Sequence, residues 1–286
     1  MLAIYKKEMR TYFTHMMGYV FLAFFLLLVG IWFTLLNVRS ADGNFHHVLS
    51  NVTIFFFILI PILTMRLFSE EARQKTDQLL FTSPLSVGAI VLGKFLAAFS
   101  LFLIGVGITV IFPLLLRGYG ELPVSQITGA FVGFVLLGAA CIAVGVFISV
   151  LTDNQIIAAV VTMGAIFVMF LMDAFAARHT STFVSLVFVL LVIAAVAAVW
   201  YNATRKAVIA IAVGVIGLII ASGLYLLNNL IFDGIITRVL LWFSVFARFN
   251  VFTRGVLRFS DVIYYLSFSA LFIYLTVNVI EKRRWR

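Results

Sequence analysis

Long apolar runs separated by short polar stretches make up nearly the whole chain. The runs are about 20 residues long, which is the length that a helix needs to cross the hydrocarbon of a bilayer. They lack the alternating segments of roughly 10 residues that are typical of an outer-membrane barrel. We therefore predict an all-α, polytopic membrane fold with eight spanning helices: Tyr19–Leu36, Val52–Met65, Ile90–Leu116, Gln126–Leu151, Ile156–Phe175, Phe183–Trp200, Ala207–Leu227 and Val262–Ile280.

The composition agrees with a membrane location. Of the 286 residues, 64% are hydrophobic and 11% are charged, and the mean hydropathy is +1.19. A soluble domain is nearer half apolar and a quarter charged. The single cysteine, Cys141, lies in an apolar run, which excludes an intrachain disulfide and a thiolate metal cluster.

Two segments place charges among large apolar residues and do not fit a span. Residues 1–17 are basic and aromatic, which predicts an amphipathic helix on the membrane surface. Residues 228–261 spread four arginines and two aspartates among apolar side chains, which predicts an external segment that is interfacial or re-entrant. The predicted organisation is thus an interfacial helix, 1–17, followed by a transmembrane domain, 18–286.

The distribution of lysine and arginine predicts the orientation, because basic residues collect in cytoplasmic segments. An even number of spans puts both basic termini inside. This orientation places 13 of the 20 basic residues on the inner side and accounts for the net charge of +9 without nucleic acid. The inner residues are Lys6, Lys7, Arg10, Arg66, Arg73, Lys75, Lys94, Arg205, Lys206, Lys282, Arg283, Arg284 and Arg286.

The longest polar run is Met65 to Pro84, between the second and third predicted spans, and it falls on the predicted cytoplasmic side. From Glu70 to Phe81 it has good helix formers and no proline or glycine. We predict an amphipathic helix that is stopped by Ser83 and Pro84 and has the form of a docking element. A solvated loop between two spans explains the same polarity and is the simpler interpretation on physical grounds alone.

Two further patterns concern packing and nucleotide binding. The fourth span carries small residues at spacings of three to five, which predicts close helix packing: Gly129, Gly133, Gly138, Cys141, Gly145 and Ser149. Gly88 to Phe95 nearly matches a phosphate-binding loop, but Phe95 replaces the hydroxyl residue and no strand precedes it. We therefore predict that Lys94 anchors the span at the interface, that Gly93 is a packing position, and that the chain has no ATP site.

Asp173 is the one acid well inside an apolar run, near the outer end of the fifth span. An intramembrane acid is a functional candidate. A proton-coupled carrier generally has paired acids at mid-membrane and broken helices. Asp173 is single and close to Arg178, so pairing with that residue is the interpretation we favour. The histidines form no ligand pattern and are interpreted as loop residues.

Several motifs occur in a fixed order along the chain. They are Lys6-Lys7-Glu8 with Tyr12-Phe13, Pro61 to Glu71, Thr76-x-x-Leu79-Leu80-x-x-Ser83-Pro84, Val91 to Phe95, Ser149 to Gln155, Phe252-x-Arg254-Gly255-Val256 with Asp261, and Arg283-Arg284-Trp285. Together they resemble the permease subunits of ABC-2 type transporters, most closely the gliding-motility permease subfamily.

The chain departs from this family at three points. The family pattern Glu-x-x-x-Gly-Thr-x-Glu-Leu-Leu has Lys75 in place of glycine and Gln78 in place of the second glutamate. The family core has six spans, so the segment 183–227 is interpreted as an extra hairpin.

The resemblance implies a non-catalytic subunit of an exporter, which is the family's usual direction of transport, in the bacterial cytoplasmic membrane. Its implied partners are cytosolic ABC ATPase subunits, which carry ATP and Mg, a second permease subunit and an accessory envelope protein. The implied coupling helix is 69–84, and the second cytoplasmic turn contains Thr152, Asp153, Asn154 and Gln155. The implied ATPase-coupling residues are Glu70, Glu71, Arg73, Lys75, Thr76, Asp77, Gln78, Leu79, Leu80 and Pro84.

Two other functions fit the same apolar chain. One is a carrier or channel that works without ATP, and the absence of paired membrane acids in the sequence counts against it. The other is a membrane scaffold of an envelope or motility complex. Association with an ATPase encoded beside this chain separates the permease from both. The sequence names neither the cargo nor the direction of transport.

Overall fold

A computed structural model describes residues 1–40, 43–76, 85–119, 122–176 and 244–284. The regular structure in these ranges is helical, without a strand, which confirms the all-α prediction for this part of the chain. The chain divides into two compact units, one formed by Met1–Phe170 with Val245–Arg286 and the other by Leu171–Ser244. Nearly all of the second unit lies outside the described residues.

The helices are numbered here over the described residues. They are α1 Leu2–Thr14, α2 Met17–Phe33, α3 His46–Val52, α4 Phe56–Thr64, α5 Ser69–Arg73, α6 Val87–Thr109, α7 Ile111–Leu115, α8 Val124–Leu151, α9 Gln155–Ala176, α10 Val245–Phe252 and α11 Phe259–Arg284. A π-helical turn, Thr34–Val38, continues α2, and 3-10 turns, Thr53–Phe55 and Leu116–Tyr119, follow α3 and α7.

Six helical stretches in the described residues are long and apolar enough to cross a membrane. They are Met17–Val38, His46–Thr64, Val87–Leu115, Val124–Leu151, Gln155–Met172 and Phe259–Arg283. The two further predicted spans, within 183–227, lie outside the described residues. The total of eight therefore remains a prediction.

The fourth of these spans, α8, is the centre of the bundle. In its most apolar window 72% of the residues are buried, against 17% in α9 and 22% in α2 and in α11. Apolar side chains such as Ile157, Leu266 and Leu27 point outward from those three helices, as lipid-facing residues do. The bundle thus surrounds α8.

Small residues on α8 allow this close packing, as the sequence predicts. An added Cβ at Gly133 would lie 2.7 Å from the Cβ of Phe252 on α10. An added Cβ at Gly138 would collide with the Phe102 ring of α6, and one at Gly145 with Thr64 of α4. The four glycines lie on two faces of α8. Gly129 and Gly133 face α10, whereas Gly138 faces α6 and Gly145 faces α4.

The second span begins earlier than its sequence suggests. Helix α3 already starts at His46, so His46 and His47 lie on a helical turn and the prediction of loop histidines is wrong. Polar side chains there bond back to the preceding turn: the Ser50 hydroxyl donates to the His46 carbonyl, and the Asn51 amide donates to the His47 carbonyl. These local bonds let polar residues form the first turns of the helix, before the apolar run that marks the span in the sequence begins.

Part of the predicted interfacial segment, residues 244–261, is described. Its helix α10 buries Val245, Phe246, Phe249 and Phe252 against the bundle. The chain then turns at Gly255, whose φ of 78° suits glycine, and enters α11. Placement of this segment relative to a bilayer stays a prediction.

Candidate functional site

Helix α1 lies along the start of α6 and turns one stripe toward it. Ile4, Glu8 and Tyr12, four residues apart, are buried, whereas Lys6 and Arg10 are exposed. Side chains four apart share one helical face. The contact is close because an added Cβ at Gly93 would lie 3.2 Å from the Cβ of Ile4. Gly93 is therefore the packing position that the sequence predicts.

The chain that leaves α4 has backbone carbonyls without helical partners, as at any helix end. Three other helices supply donors to them. The Tyr12 hydroxyl of α1 donates to the Leu63 carbonyl at 2.8 Å, and the Ser149 hydroxyl of α8 donates to the Met65 carbonyl at 3.4 Å. The Lys94 ammonium of α6 donates to the Leu67 carbonyl. The end of the second span is thus held from three sides.

Lys94 is the centre of a charged group that we call the Lys94 cluster, formed by Lys94, Glu8, Glu71 and Lys7. The Lys94 Nζ lies 2.9 Å from Glu8 Oε1 and 2.9 Å from Glu71 Oε2. The Lys7 Nζ lies 2.8 Å from Glu71 Oε1. With the carbonyl of Leu67, the ammonium of Lys94 has one acceptor for each of its three protons.

Lys94 is also buried, with 1% of its side chain exposed. Its ammonium lies 4.9 Å from the centre of the Phe68 ring, a cation–π contact. Lys94 therefore does not reach solvent as a free side chain, and its position relative to the membrane interface stays a prediction. The pattern of one lysine after a glycine at the start of a span contains no information about Glu8 and Glu71, which come from distant parts of the chain.

A second ion pair follows α4 within one turn. Arg66 binds both carboxylate oxygens of Glu70 at 2.6 Å each, from Nε and Nη2. This hydrogen bonding raises the pKa of Arg66 and lowers the pKa of Glu70 below its ordinary value of 4.5. Such bidentate pairs fix the direction of both side chains.

The predicted helix from Glu70 to Phe81 is interrupted after its first turn. Helix α5 ends at Arg73, and the next turn closes with hydrogen bonds from Lys75 N to Ala72 O and from Thr76 N to Glu71 O. These two bonds define a Schellman motif, in which the residue after the C-cap is left-handed. Lys75 has a φ of 56°. Glycine usually takes this position, and lysine there hid the helix end in the sequence.

The predicted coupling residues have different environments. Glu70 and Glu71 are half-buried and paired within the chain, Thr76 is half-buried, and Arg73 and Lys75 are exposed. The remaining predicted residues, Asp77, Gln78, Leu79, Leu80 and Pro84, lie outside the described residues. Charges at 70 and 71 therefore hold the segment in place, while those at 73 and 75 face outward.

The turn between α8 and α9 lies at the same end of the bundle. Short polar residues before a helix commonly cap it, which predicts Asp153 or Asn154 as the cap of the fifth span, and the Asn154 side chain does accept a hydrogen bond from Ile156 N at 2.9 Å. Asp153 lies 3.6 Å from Arg283 at the end of α11. Asp153 and Asn154 are exposed, and Thr152 and Gln155 are half-buried.

A cleft of about 400 Å³ opens between α1 and the segment after α4. Its lining includes Lys7, Glu8, Arg66, Glu70, Glu71 and Lys94. These six charges are already paired with one another. Among the described residues, no group of three or more His, Cys, Asp or Glu side chains is placed to hold a metal ion.

The pKa shifts of Lys7 and Tyr12 are consistent with these contacts. Burial lowers the pKa of Lys7, but the hydrogen bond and charge of Glu71 outweigh it, so the pKa lies above 10.5. Burial raises the pKa of Tyr12 well above its ordinary value, with the Glu8 carboxylate adding to the effect. Tyr12 therefore remains a hydrogen-bond donor to Leu63 at every physiological pH.

The fold and this site define a multi-pass α-helical membrane protein with a charged cluster at one end of its bundle. Residues 33–180, just over half of the chain, match the family model for ABC-2 family transporter protein. The chain belongs to this family, and it is the membrane component of an ABC transporter. The comparison with curated proteins gave no match. The family match covers α3 to α9, whereas α1, α10, α11 and all of α2 except Phe33 lie outside it.

Proposed function

We propose that the chain is the permease subunit of an ABC exporter in the bacterial cytoplasmic membrane, with both termini in the cytoplasm. A separate cytosolic ATPase, which carries ATP and Mg, docks on the segment 69–84 and on the turn 152–155. A second permease subunit, identical or different, completes the transport path, and an accessory envelope protein is a further partner. The ordered motifs support placement in the gliding-motility subfamily.

The observation that carries this proposal is the gathering of polar segments at one end of the bundle. α1, α5, the start of α6, the end of α8 and the end of α11 meet there through the Lys94 cluster, the Ser149 hydroxyl and the Asp153–Arg283 contact. We call this the α1 end. A docking surface requires such a group of polar elements outside the hydrocarbon.

The basic residues support a cytoplasmic location of the α1 end. Basic side chains concentrate on the cytoplasmic side of membrane proteins. The side chains that the structure describes at the α1 end are Lys6, Lys7, Arg10, Arg66, Arg73, Lys75, Lys94, Lys282 and Arg283, and those at the other end are Arg39, Arg248, Arg254 and Arg258.

The exposed residues of the docking segment define the sharpest test. Glu71 is held by Lys94 and Lys7, so charge reversal there would alter the fold as well as any docking. Arg73 and Lys75 are exposed and have no such role in the fold. The double variant Arg73→Glu/Lys75→Glu replaces these two positive charges by negative ones and changes no ion pair within the Lys94 cluster. Arg39→Glu, an exposed reversal at the other end, is the matched control.

The experiment is affinity purification of the tagged chain with the ABC ATPase subunits encoded beside it, followed by ATP hydrolysis in lipid nanodiscs. We expect the wild-type chain and Arg39→Glu to retain the ATPase. The double variant should retain at least tenfold less while inserting into the membrane normally. A wild-type chain that purifies without any ATPase contradicts the proposal and favours the carrier or the scaffold. Equal retention by all three chains excludes 69–84 as the docking site.

A further inference from the structure

The placement of Lys94 has a consequence for movement. It lies near the start of the third span, yet its two carboxylate partners are on α1, which precedes the first span, and on α5, which follows the second. The pairs Lys94–Glu8 and Lys7–Glu71 connect residues 86 and 64 positions apart. One buried ammonium thus joins three spans at their α1 end.

Stability alone does not explain a buried ammonium. Apolar residues of similar volume commonly stabilise a buried site as well as an ion pair does, because both ions lose their hydration. What an ion pair adds is one defined geometry, since each charge must stay against its partner. Lys94 has three acceptors around it and 1% exposure, so movement of either α1 or α5 away from α6 takes one of these acceptors from a cation that water does not reach.

Neutral contacts beside the cluster keep α1 in the same register on α6. The Tyr5 hydroxyl donates to Ser100 Oγ at 3.1 Å, one and a half turns beyond Lys94. On the other side, Ile4 packs against Gly93. The contact between α1 and α6 therefore combines apolar, ionic and polar groups.

We propose that Lys94 is a positioning residue that makes α1, α5 and the start of α6 one mechanical unit. A displacement of the docking segment then reaches the third span directly, in addition to the second span to which α5 is joined in the chain. The direction of this coupling rests on the proposed function. The contact of α1, α5 and α6 through Lys94, which we call the joint, is a property of the chain. It is tested without an ATPase.

The first test measures distance in the purified chain in lipid nanodiscs. Spin labels replace the exposed Arg10 on α1 and Arg73 at the end of α5, with Cys141→Ala as the background. We expect one narrow distance distribution, which Lys94→Met broadens at least twofold. Lys6→Met is the matched control, because it removes an exposed lysine of α1 that lies outside the Lys94 cluster, and it should leave the width unchanged.

Lys94→Arg provides the second variant, because it keeps the cation and should keep the distribution narrower than Lys94→Met does. This separates loss of charge from general unfolding. An unchanged width in Lys94→Met, or equal broadening in Lys6→Met, overturns the proposal.

The second test locks the joint. Ile4→Cys and Gly93→Cys place two Cβ atoms close enough for a disulfide after a small adjustment. If α1 and α6 move together, the oxidised complex with its ATPase should hydrolyse ATP within twofold of the reduced complex. A tenfold loss that reductant restores means that the helices must separate, which overturns the joint. Failure of the wild-type chain to bind an ATPase refutes the proposed function, while the distance measurement still decides on Lys94.

Discussion

Two buried ion pairs lie at opposite ends of the bundle and do different things. The Lys94 cluster joins residues up to 86 positions apart in the chain. At the other end, Arg248 Nη1 lies 2.7 Å from Asp261 Oδ1, and these residues are only 13 positions apart. The first holds three spans together, whereas the second closes the corner between α10 and α11.

The two ion pairs also differ in burial and in the bonds around them. Lys94 has 1% of its side chain exposed and an acceptor for every proton, while Arg248 has 21% exposed. Arg248 also lies 3.8 Å above the centre of the Tyr264 ring, and Tyr265 donates to the Val245 carbonyl at 2.6 Å. The corner therefore has additional local bonds. The comparison teaches that an ion pair between a basic residue and a carboxylate connects separate spans only where its partners are distant in the chain.

The largest effect is expected from Lys94→Met. It leaves the buried Glu8 and the half-buried Glu71 with only the exposed Lys7 as partner, and breaking a buried pair in this way costs about 3–5 kcal/mol. Thermal unfolding in lipid nanodiscs should show a clearly lower midpoint. Hydrogen exchange should rise in both α1 and α5. A midpoint equal to that of the wild-type chain would contradict the central role of Lys94.

Arg248→Met should have a smaller effect, because it leaves one carboxylate without its arginine, whereas Lys94→Met takes the buried cation from two carboxylates. We expect about 1–3 kcal/mol, the usual cost of leaving a buried polar group unsatisfied. Hydrogen exchange should rise in α10 and the start of α11 and stay unchanged in α1. Faster exchange in α1 would show that the two ends are coupled and would break the comparison.

Tyr12→Phe separates hydrogen bonding from charge at the α1 end. It leaves the Leu63 carbonyl without the hydroxyl of α1 and keeps the ring, so the expected loss is about 1–2 kcal/mol. The thermal midpoint measures this loss, with Tyr274→Phe on the exposed face of α11 as the control. An effect as large as that of Lys94→Met would assign the stability of this end to the hydroxyl.

Lys75→Gly should stabilise the chain slightly. A left-handed backbone costs an L-residue about 1–2 kcal/mol, and glycine avoids this cost. Glycine also makes the unfolded chain more flexible, which destabilises the folded state by about 0.4–1 kcal/mol. The net gain is about 0.5 kcal/mol or a little more. Gln74→Gly, at a right-handed position one residue earlier, should destabilise by a similar amount. Destabilisation by both would exclude strain at Lys75.

The smallest effect concerns pH and the partly exposed Arg66–Glu70 pair. Because Arg66 lowers the folded-state pKa of Glu70, the folded chain binds fewer protons there than the unfolded chain does. The stabilisation is complete above the ordinary value of 4.5 and is lost as pH falls through the lower folded pKa. Thermal midpoints between pH 7 and pH 4 should fall less in Glu70→Gln than in the wild-type chain. Equal slopes would assign the loss to other carboxylates.

Sequence reasoning succeeded where an effect is local in the chain. Asn154 at the start of α9 caps its own helix, and Gly93 and Gly145 are small where helices touch. It failed at Lys75, because a left-handed lysine has no signal in the residue type. It also missed the partners of Lys94, because the position of a lysine near the end of a span contains no information about carboxylates in distant parts of the chain.

The sequence by itself determined that this is a helical membrane protein of the ABC-2 type, because spans of about 20 apolar residues and the order of motifs can be read without a fold. The tertiary structure decided which charges hold the chain together and which face outward. Glu71 and Arg73 are two positions apart, yet one contacts Lys94 and the other is exposed. That distinction depends on helix packing around α8, which brings together residues that no local pattern connects.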